Sequence, residues 1–393
     1  MKTLIVIDRP LNPNTGGGAG YLSKLKSALA ILGSDEFEVF SPSKLLAPSR
    51  LDIFIKNSAI LLKFYKCLAA IRLIIKLDQP SRFQPSRALS SRLLKDDFRY
   101  VHVHHLLEAI AVRNFIVDNN IDTKIVYTPH DPGPTSFQYE SYFASYSPLL
   151  ASKVKDKMLT LEKEFFSLAD AFVFPSQQAL FYYTDEIKDL DEEKVYFVPT
   201  GTDPYVPLVS KDEFLLKRAL STNNTYFSFA GRHNSVKGYD IFKKAASISL
   251  KTNRSIGFLI AGSEGPMYSL EDPNWFEEGW TTDPASLVNA SEVFVAPNRK
   301  GYFDLVILEA MSIGKVVIAT KTGGAIDIAK YSKGVILVEP EDPKAMADAI
   351  LSLSYMDKSE LNSLGEENYR AYLDNFSIKS FGENYSKVFE GKL

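Results

Sequence analysis

The stretch Phe303–Gly324, FDLVILEAMSIGKVVIATKTGG, decides the reading of this chain. Leu305–Leu308 is an apolar run, Glu309-Ala-Met continues it as a helix, and Gly314 stops that helix. Val316–Ala319 then reads as a buried strand, and Gly323-Gly324 breaks the chain again. In such a loop, helix, strand and glycine-loop unit, the helix N-terminus and the glycine loop both present backbone N–H groups that suit phosphate. A carboxylate nearby, Glu309, can accept from two adjacent sugar hydroxyls. Diphosphate plus ribose means a nucleotide, and Glu309 is the first candidate for its ligand.

The same alternation extends along all 393 residues. Leu4–Ile7, Tyr100–Val103, Lys124–Tyr127, Ala171–Phe174 and Val195–Val198 read as buried strands in the first half. Tyr226–Ala230, Gly257–Ala261, Val293–Ala296, Val316–Ala319 and Gly334–Val338 do so in the second. Helical patterns such as Tyr21–Leu32, Leu106–Asn119, Lys155–Leu168, Tyr239–Leu250 and Pro343–Leu353 lie between them, which implies parallel sheets covered on both faces. Two such sets imply two doubly wound α/β domains, as the length also suggests. The prolines and glycine of Pro199–Pro207 mark the boundary, Ser377–Phe389 reads as a final helix, and the insertion Glu264–Asp283 reads as irregular.

Composition narrows the setting. Hydrophobic content of 45% with 24% charge is that of a globular protein, and the net charge of -3 says little about partners. Its distribution says more, because Lys44–Asp97 holds eleven Lys and Arg against four Asp. Within that span, residues 53–77 interleave Ile, Leu and Phe with Lys56, Lys63, Lys66, Arg72 and Lys76. A basic amphipathic segment of this kind suits an anionic membrane surface, and the nucleotide signature elsewhere argues against nucleic acid as the partner. Cys67 is the single cysteine, consistent with a reducing compartment, and Leu4–Ile7 is too short for a secretory leader, so the expected location is cytoplasmic, peripheral on the membrane.

Further residues carry chemistry. Gly231-Arg232 and Lys237-Gly238 follow a strand, where two cations can converge on a diphosphate. Gly16–Gly20 opens the helix Tyr21–Leu32, but no acidic residue at the end of a clear second strand supports a dinucleotide site. His130 lies just past a strand's C-terminal end, where doubly wound folds place ligands. His102, His104 and His105 alternate faces on a strand without a completing Glu or Cys, and Asp189-Leu-Asp191 falls in an acidic connector, so no metal is expected.

Together these residues resemble the donor-binding signature of the GT-B glycosyltransferases, in particular the retaining family 4, and the resemblance covers nearly the whole chain. It implies two Rossmann-like domains facing a central cleft, an acceptor domain over residues 1–199 and a nucleotide-sugar domain over 200–375, with a helix over 376–393 returning to the first. It implies that Arg232 and Lys237 clamp the diphosphate, with Glu309 on the ribose and Asp304, Leu305, Val306, Gly323 and Gly324 around the donor. Gly17 and Gly18 would lie under the diphosphate, and His130 would contact the sugar near its anomeric centre, so that His130, Arg232 and Lys237 form the catalytic set. The signature normally carries two glutamates separated by seven residues. Glu309 fits the second, but Gly301 stands at the first and Asp304 stands where glycine is usual.

The implied activity is metal-independent, cofactor-free transfer, with retention, from a nucleoside-diphosphate sugar, a UDP-sugar, to a lipid-linked or surface glycan acceptor, as in polysaccharide biosynthesis. Gly301 motivates one rival, a non-catalytic partner protein; a phosphorylase or hydrolase on the same fold is another.

Overall fold

The structure, a computed structural model, describes residues 2–7, 17–41, 58–188, 190–263, 265 and 267–391. Its chain divides into two compact units. The first comprises Met1–Phe174, Leu180–Val198 and Tyr385–Leu393, and the second Pro175–Ala179 and Pro199–Asn384. Each is built on a six-stranded sheet.

In the first unit β1 (Lys2–Val6), β2 (Phe37–Phe40), β3 (Phe98–Val103), β4 (Lys124–Tyr127), β5 (Ala171–Phe174) and β6 (Val195–Phe197) lie in the order β2-β1-β3-β4-β5-β6. In the second, β7 (Thr225–Ala230), β8 (Ile256–Ala261), β9 (Trp275–Gly279), β10 (Val293–Ala296), β11 (Val316–Thr320) and β12 (Val335–Val338) lie in the order β12-β11-β10-β7-β8-β9. Every pairing is parallel. Parallel neighbours need crossover helices, which cover both faces, so inner strands are largely apolar and buried: every residue of Ile256–Ala261 and of Val316–Thr320 is buried. Apolar clusters occupy both sides of the second sheet, one around Leu259, Phe294, Leu308 and Val317, the other around Phe227, Phe242, Phe258 and Ile318.

Two strands depart from the sequence expectation. β2 and β9 are edge strands, each with one neighbour, and their sequences FEVF and WFEEG carry glutamates that no inner strand tolerates. Neighbouring side chains satisfy those charges. Arg92 Nε donates to Glu38 at 2.9 Å, Arg218 Nε to Glu278 at 2.6 Å, and Trp275 Nε1 to Glu277 at 2.9 Å. The insertion over residues 264–283, expected to be irregular, therefore supplies a strand; Trp275 is buried in it while Trp280 is exposed.

The helix Ile378–Gly391 gives the first unit part of its core. Tyr385 is fully buried, and its ring and that of Phe389 pack on Phe37, with Phe389 also edge-on to Tyr100. The Tyr385 hydroxyl hydrogen-bonds His102 Nδ1 at 2.6 Å, and His102 Nε2 pairs with Thr128 Oγ1 at 2.8 Å. Burial, followed by the neighbouring His130, pushes the His102 pKa down to about 3. The imidazole is therefore neutral in the fold.

Tyr385→Phe removes one partner of a buried pair and leaves His102 Nδ1 unsatisfied, a loss of about 1–3 kcal/mol by urea denaturation. Protonation supplies a second expectation. The unfolded chain binds a proton at His102 below its ordinary pKa of about 6.5, whereas the folded chain does not until about 3. This contribution is fully present above the unfolded value and declines as pH falls from there toward about 3. A denaturation series across that window should show His102→Gln with a shallower acid decline than the parent; an identical slope would count against it.

Candidate active site

Written from its edge, the second sheet runs β9-β8-β7-β10-β11-β12, so the strand order reverses between β7 and β10. In doubly wound sheets the crevice beyond the strand C-termini at that reversal is where ligands bind. Arg232 and Lys237 lie in the loop after β7, and Gly301 to Glu309 follow β10. The sequence thus delivers its two cations and its carboxylates to one end of one sheet.

The loop after β7 is fastened from several sides. Gly231 N donates to Ala261 O at 3.0 Å, His233 N donates to Ser263 O at 3.3 Å, and the His233 ring lies buried, stacked 4.2 Å from Tyr239. Gly238 adopts φ +64 and leads into the helix Tyr239–Thr252; a Cβ there would stand 1.8 Å from Pro297 O, so only glycine fits. Arg299, which the sequence reading did not single out, closes the loop: its guanidinium donates to Ser235 O at 2.6 Å, to both Asp240 oxygens at 2.6 and 2.7 Å, and to Glu341. The hydrogen bonds from Arg299 hold the Asp240 carboxyl below its ordinary range, and those to Asp240 and then Glu341 raise Arg299 further. Nothing local in the sequence marks Arg299, because its partners are distant along the chain.

This scaffold leaves Arg232 exposed, with no side-chain hydrogen bond or ion pair among the described residues. Lys237 Nζ reaches Asp304 Oδ1 at 2.9 Å. The turn before Gly324 supports that segment from below. Gly324 N donates to Tyr302 O at 2.9 Å, and Gly323, at φ +48, sits so close that a Cβ would lie 1.8 Å from Gly301 O. Asp304 precedes the helix Leu305–Met311. Ile307, Leu308, Ala310 and Met311 anchor this helix in the core, which leaves Leu305, Val306 and Glu309 on its partly exposed side.

Tyr205 is a second residue that the sequence did not flag. Burial, followed by the charge of Glu309, raises its phenol above the ordinary value. Ser312 Oγ donates to Glu309 O at 2.6 Å and accepts from Tyr205 N at 2.9 Å, so Ser312 ties the tyrosine's backbone to the helix. Burial, then Asp203 and Tyr369, then Glu309 also raise Tyr372. Two phenols in their neutral form therefore border this carboxylate.

In the first unit the helix begins at Gly17, earlier than the expected Tyr21, so Gly17 and Gly18 form its first turn; Gly16 lies outside the described residues. Gly18 lies against His130, whose ring a Cβ on Gly18 would meet at 3.0 Å. His130 Nε2 pairs with His104 Nδ1 at 3.1 Å, and the Tyr21 ring stands 4.7 Å from His130. His102 on β3 and His104 just past its end have ring centroids 4.2 Å apart, and His105 precedes the helix Leu106–Asp118. Burial, then His102 and His130, drives the His104 pKa well below its ordinary value. Asp189 and residues 53–57 of the basic span lie outside the described residues; Asp191 caps a short turn at Glu193 N, 3.1 Å away.

Residues 15–205 match the model of Glycosyltransferase Family 4, and residues 224–355 that of Glycosyl transferases group 1. The chain is 28% identical over 191 residues to D-inositol 3-phosphate glycosyltransferase of Paenarthrobacter aurescens, covering 44% of this chain and 46% of the relative. Over 208 residues it is 27% identical to UDP-Gal:alpha-D-GlcNAc-diphosphoundecaprenol alpha-1,3-galactosyltransferase of Escherichia coli, covering 49% and 53%. It thus spans about half the length of the curated relatives it matches. In fold it is similar to Anabaena Alr3699/HepE in complex with UDP, with a TM-score of 0.66 and 15% identity over 99% of both chains. With two all-parallel α/β units and family models covering most of its length, the chain belongs to the GT-B glycosyltransferases of the family 4 and group 1 type.

Proposed function

We propose that this chain is a retaining glycosyltransferase that moves a sugar from a UDP-sugar to a lipid-linked or surface glycan acceptor. The observation that carries this reading is the gathering of Arg232, Lys237 and Glu309 at the reversal point between β7 and β10. The Escherichia coli relative, named for transfer from UDP-Gal to alpha-D-GlcNAc-diphosphoundecaprenol, supports the donor and acceptor classes.

Arg232 and Lys237 take the charge that grows on the diphosphate as the sugar C–O bond breaks, which is the largest service such a site can render. Glu309 accepts from the ribose hydroxyls, while the N–H groups of Leu305, Val306 and Gly323 face the phosphates. His130, seated on Gly18 and with Gly17 beside it, serves the transferred sugar and the acceptor. The new C–O bond forms on the face the phosphate leaves, and the departing phosphate takes the acceptor's proton. Transfer then needs neither a protein base nor a metal.

For location, no helix among the described residues is long and apolar enough to cross a membrane. The helix Ala59–Leu77 has a different character. It is held at Ala70 against Phe143, Ala151 and Val154, while Ile60, Phe64, Ile71 and Ile75 lie exposed along one stripe, with Lys63, Arg72 and Lys76 exposed beside them. Exposed apolar side chains flanked by cations suit a peripheral seat on an anionic cytoplasmic membrane face.

Arg232→Ala should lower kcat/KM for transfer from a UDP-hexose to a diphospholipid-linked sugar by about 10²–10³-fold. Glu309→Gln should act mainly on KM, about tenfold, because ribose binding is shared by ground and transition states. If neither changes product formation, the transferase reading is wrong. The protein should also sediment with anionic liposomes at low salt and lose this with Phe64→Glu and Ile71→Glu together; equal sedimentation with neutral liposomes would refute the charge-assisted seat.

A further inference from the structure

Asp304 is used unusually. Aspartate at the residue before a helix ordinarily accepts from the backbone N–H groups of the first turn, a cap contributing about 1 kcal/mol. The Asp304 side chain makes no such bond. Its carboxylate instead turns back over Gly301, where a Cβ would stand 2.2 Å from Asp304 Oδ2, and its other oxygen pairs with Lys237 Nζ at 2.9 Å. Only 12% of the side chain is exposed. Gly301 is thereby committed, since any side chain there displaces the carboxylate, and Gly301 O is itself closed off by Gly323. A carboxylate that forgoes capping, fills the space over a glycine and shares a lysine beside the reversal point is placed for a ligand rather than for the helix.

We propose that Asp304 is the specificity-determining residue for the donor sugar, admitting an uncharged hexose and rejecting a hexuronic acid. The inference rests on the reading of this unit as a nucleotide-sugar site. Lys237 is the shared element. When the diphosphate arrives its oxygens take the ammonium, and Asp304 loses its counterion within a few bonds of the sugar attached to that phosphate. Hydroxyl groups of an uncharged hexose then replace the lost partner by donating to the carboxylate. A hexuronic acid brings a second carboxylate to the same place, where like charges at close range disfavour one another.

The test measures dissociation constants of UDP, UDP-glucose, UDP-galactose and UDP-glucuronic acid for the full chain by calorimetry. The parent should bind at least one UDP-hexose more tightly than UDP, and UDP-glucuronic acid about tenfold more weakly than that UDP-hexose. The near-isosteric Asp304→Asn, which removes the charge, should shrink the hexose-to-hexuronate ratio toward unity while UDP binds as well as or better than before, because Lys237 is released. Gly301→Glu should abolish the hexose preference by displacing Asp304, and Gly301→Glu with Asp304→Gly should recover part of it. An unchanged ratio in Asp304→Asn with UDP binding intact overturns the inference and leaves the nucleotide reading standing. Absence of UDP binding, or UDP binding indifferent to Arg232→Ala, overturns the nucleotide reading and this inference with it.

Discussion

The second unit depends on backbone touching backbone. At the C-terminal edge of its sheet, Gly262 lies on Gly231 O, Gly238 on Pro297 O, and Gly323 on Gly301 O, each so near that a Cβ would stand 1.8 Å from the carbonyl. The loops after β7, β8, β10 and β11 are thus pressed into one layer with no side chain between them. Packing of this kind is rigid because carbonyls and peptide planes have no rotamers to exchange. Arg299 adds the polar counterpart, joining the loop after β7 to Asp240 and to Glu341 after β12. Functional side chains carried on such a layer inherit its fixed positions, and catalysis by charge placement requires that.

Within this layer the charges are arranged asymmetrically. Lys237 is engaged by Asp304, whereas Arg232 has no such partner among the described residues and stays exposed. Glu309 is bordered by phenols that burial, followed by nearby negative charge, keeps protonated, and the Tyr372 hydroxyl donates to Thr202 O at 2.8 Å. In the first unit burial keeps His102 and His104 neutral, and His104 Nδ1 lies 3.1 Å from His130 Nε2.

The sequence disclosed what depends on local pattern. Inner strands were legible because burial on both faces demands unbroken apolar runs, as in Gly257–Ala261. β2 and β9 were not, since an edge strand keeps one side open and tolerates Glu38, Glu277 and Glu278. The helix begins at Gly17 rather than Tyr21, because consecutive glycines read as loop when nothing in the sequence reveals what packs on them. Gly301 and Asp304 were visible as departures from a known signature, but only the fold shows that the carboxylate of one lies over the other. Arg299 and Tyr205 left no trace, because each acts through partners far away in sequence.

The helix Ile378–Gly391 has a consequence for how the protein comes into being. Its first half packs near Gly201, against which Ser377 and Phe381 lie, and its second half supplies Tyr385 and Phe389 to the first unit. A chain grows from its N-terminus, and units made first ordinarily fold first. Here the first unit's sheet is synthesised long before the tyrosine that closes its buried histidine, and the whole second unit is made in between. During synthesis the first unit must therefore wait with an unfilled seam beside β2 and β3, and the second can finish its sheet while the first is incomplete.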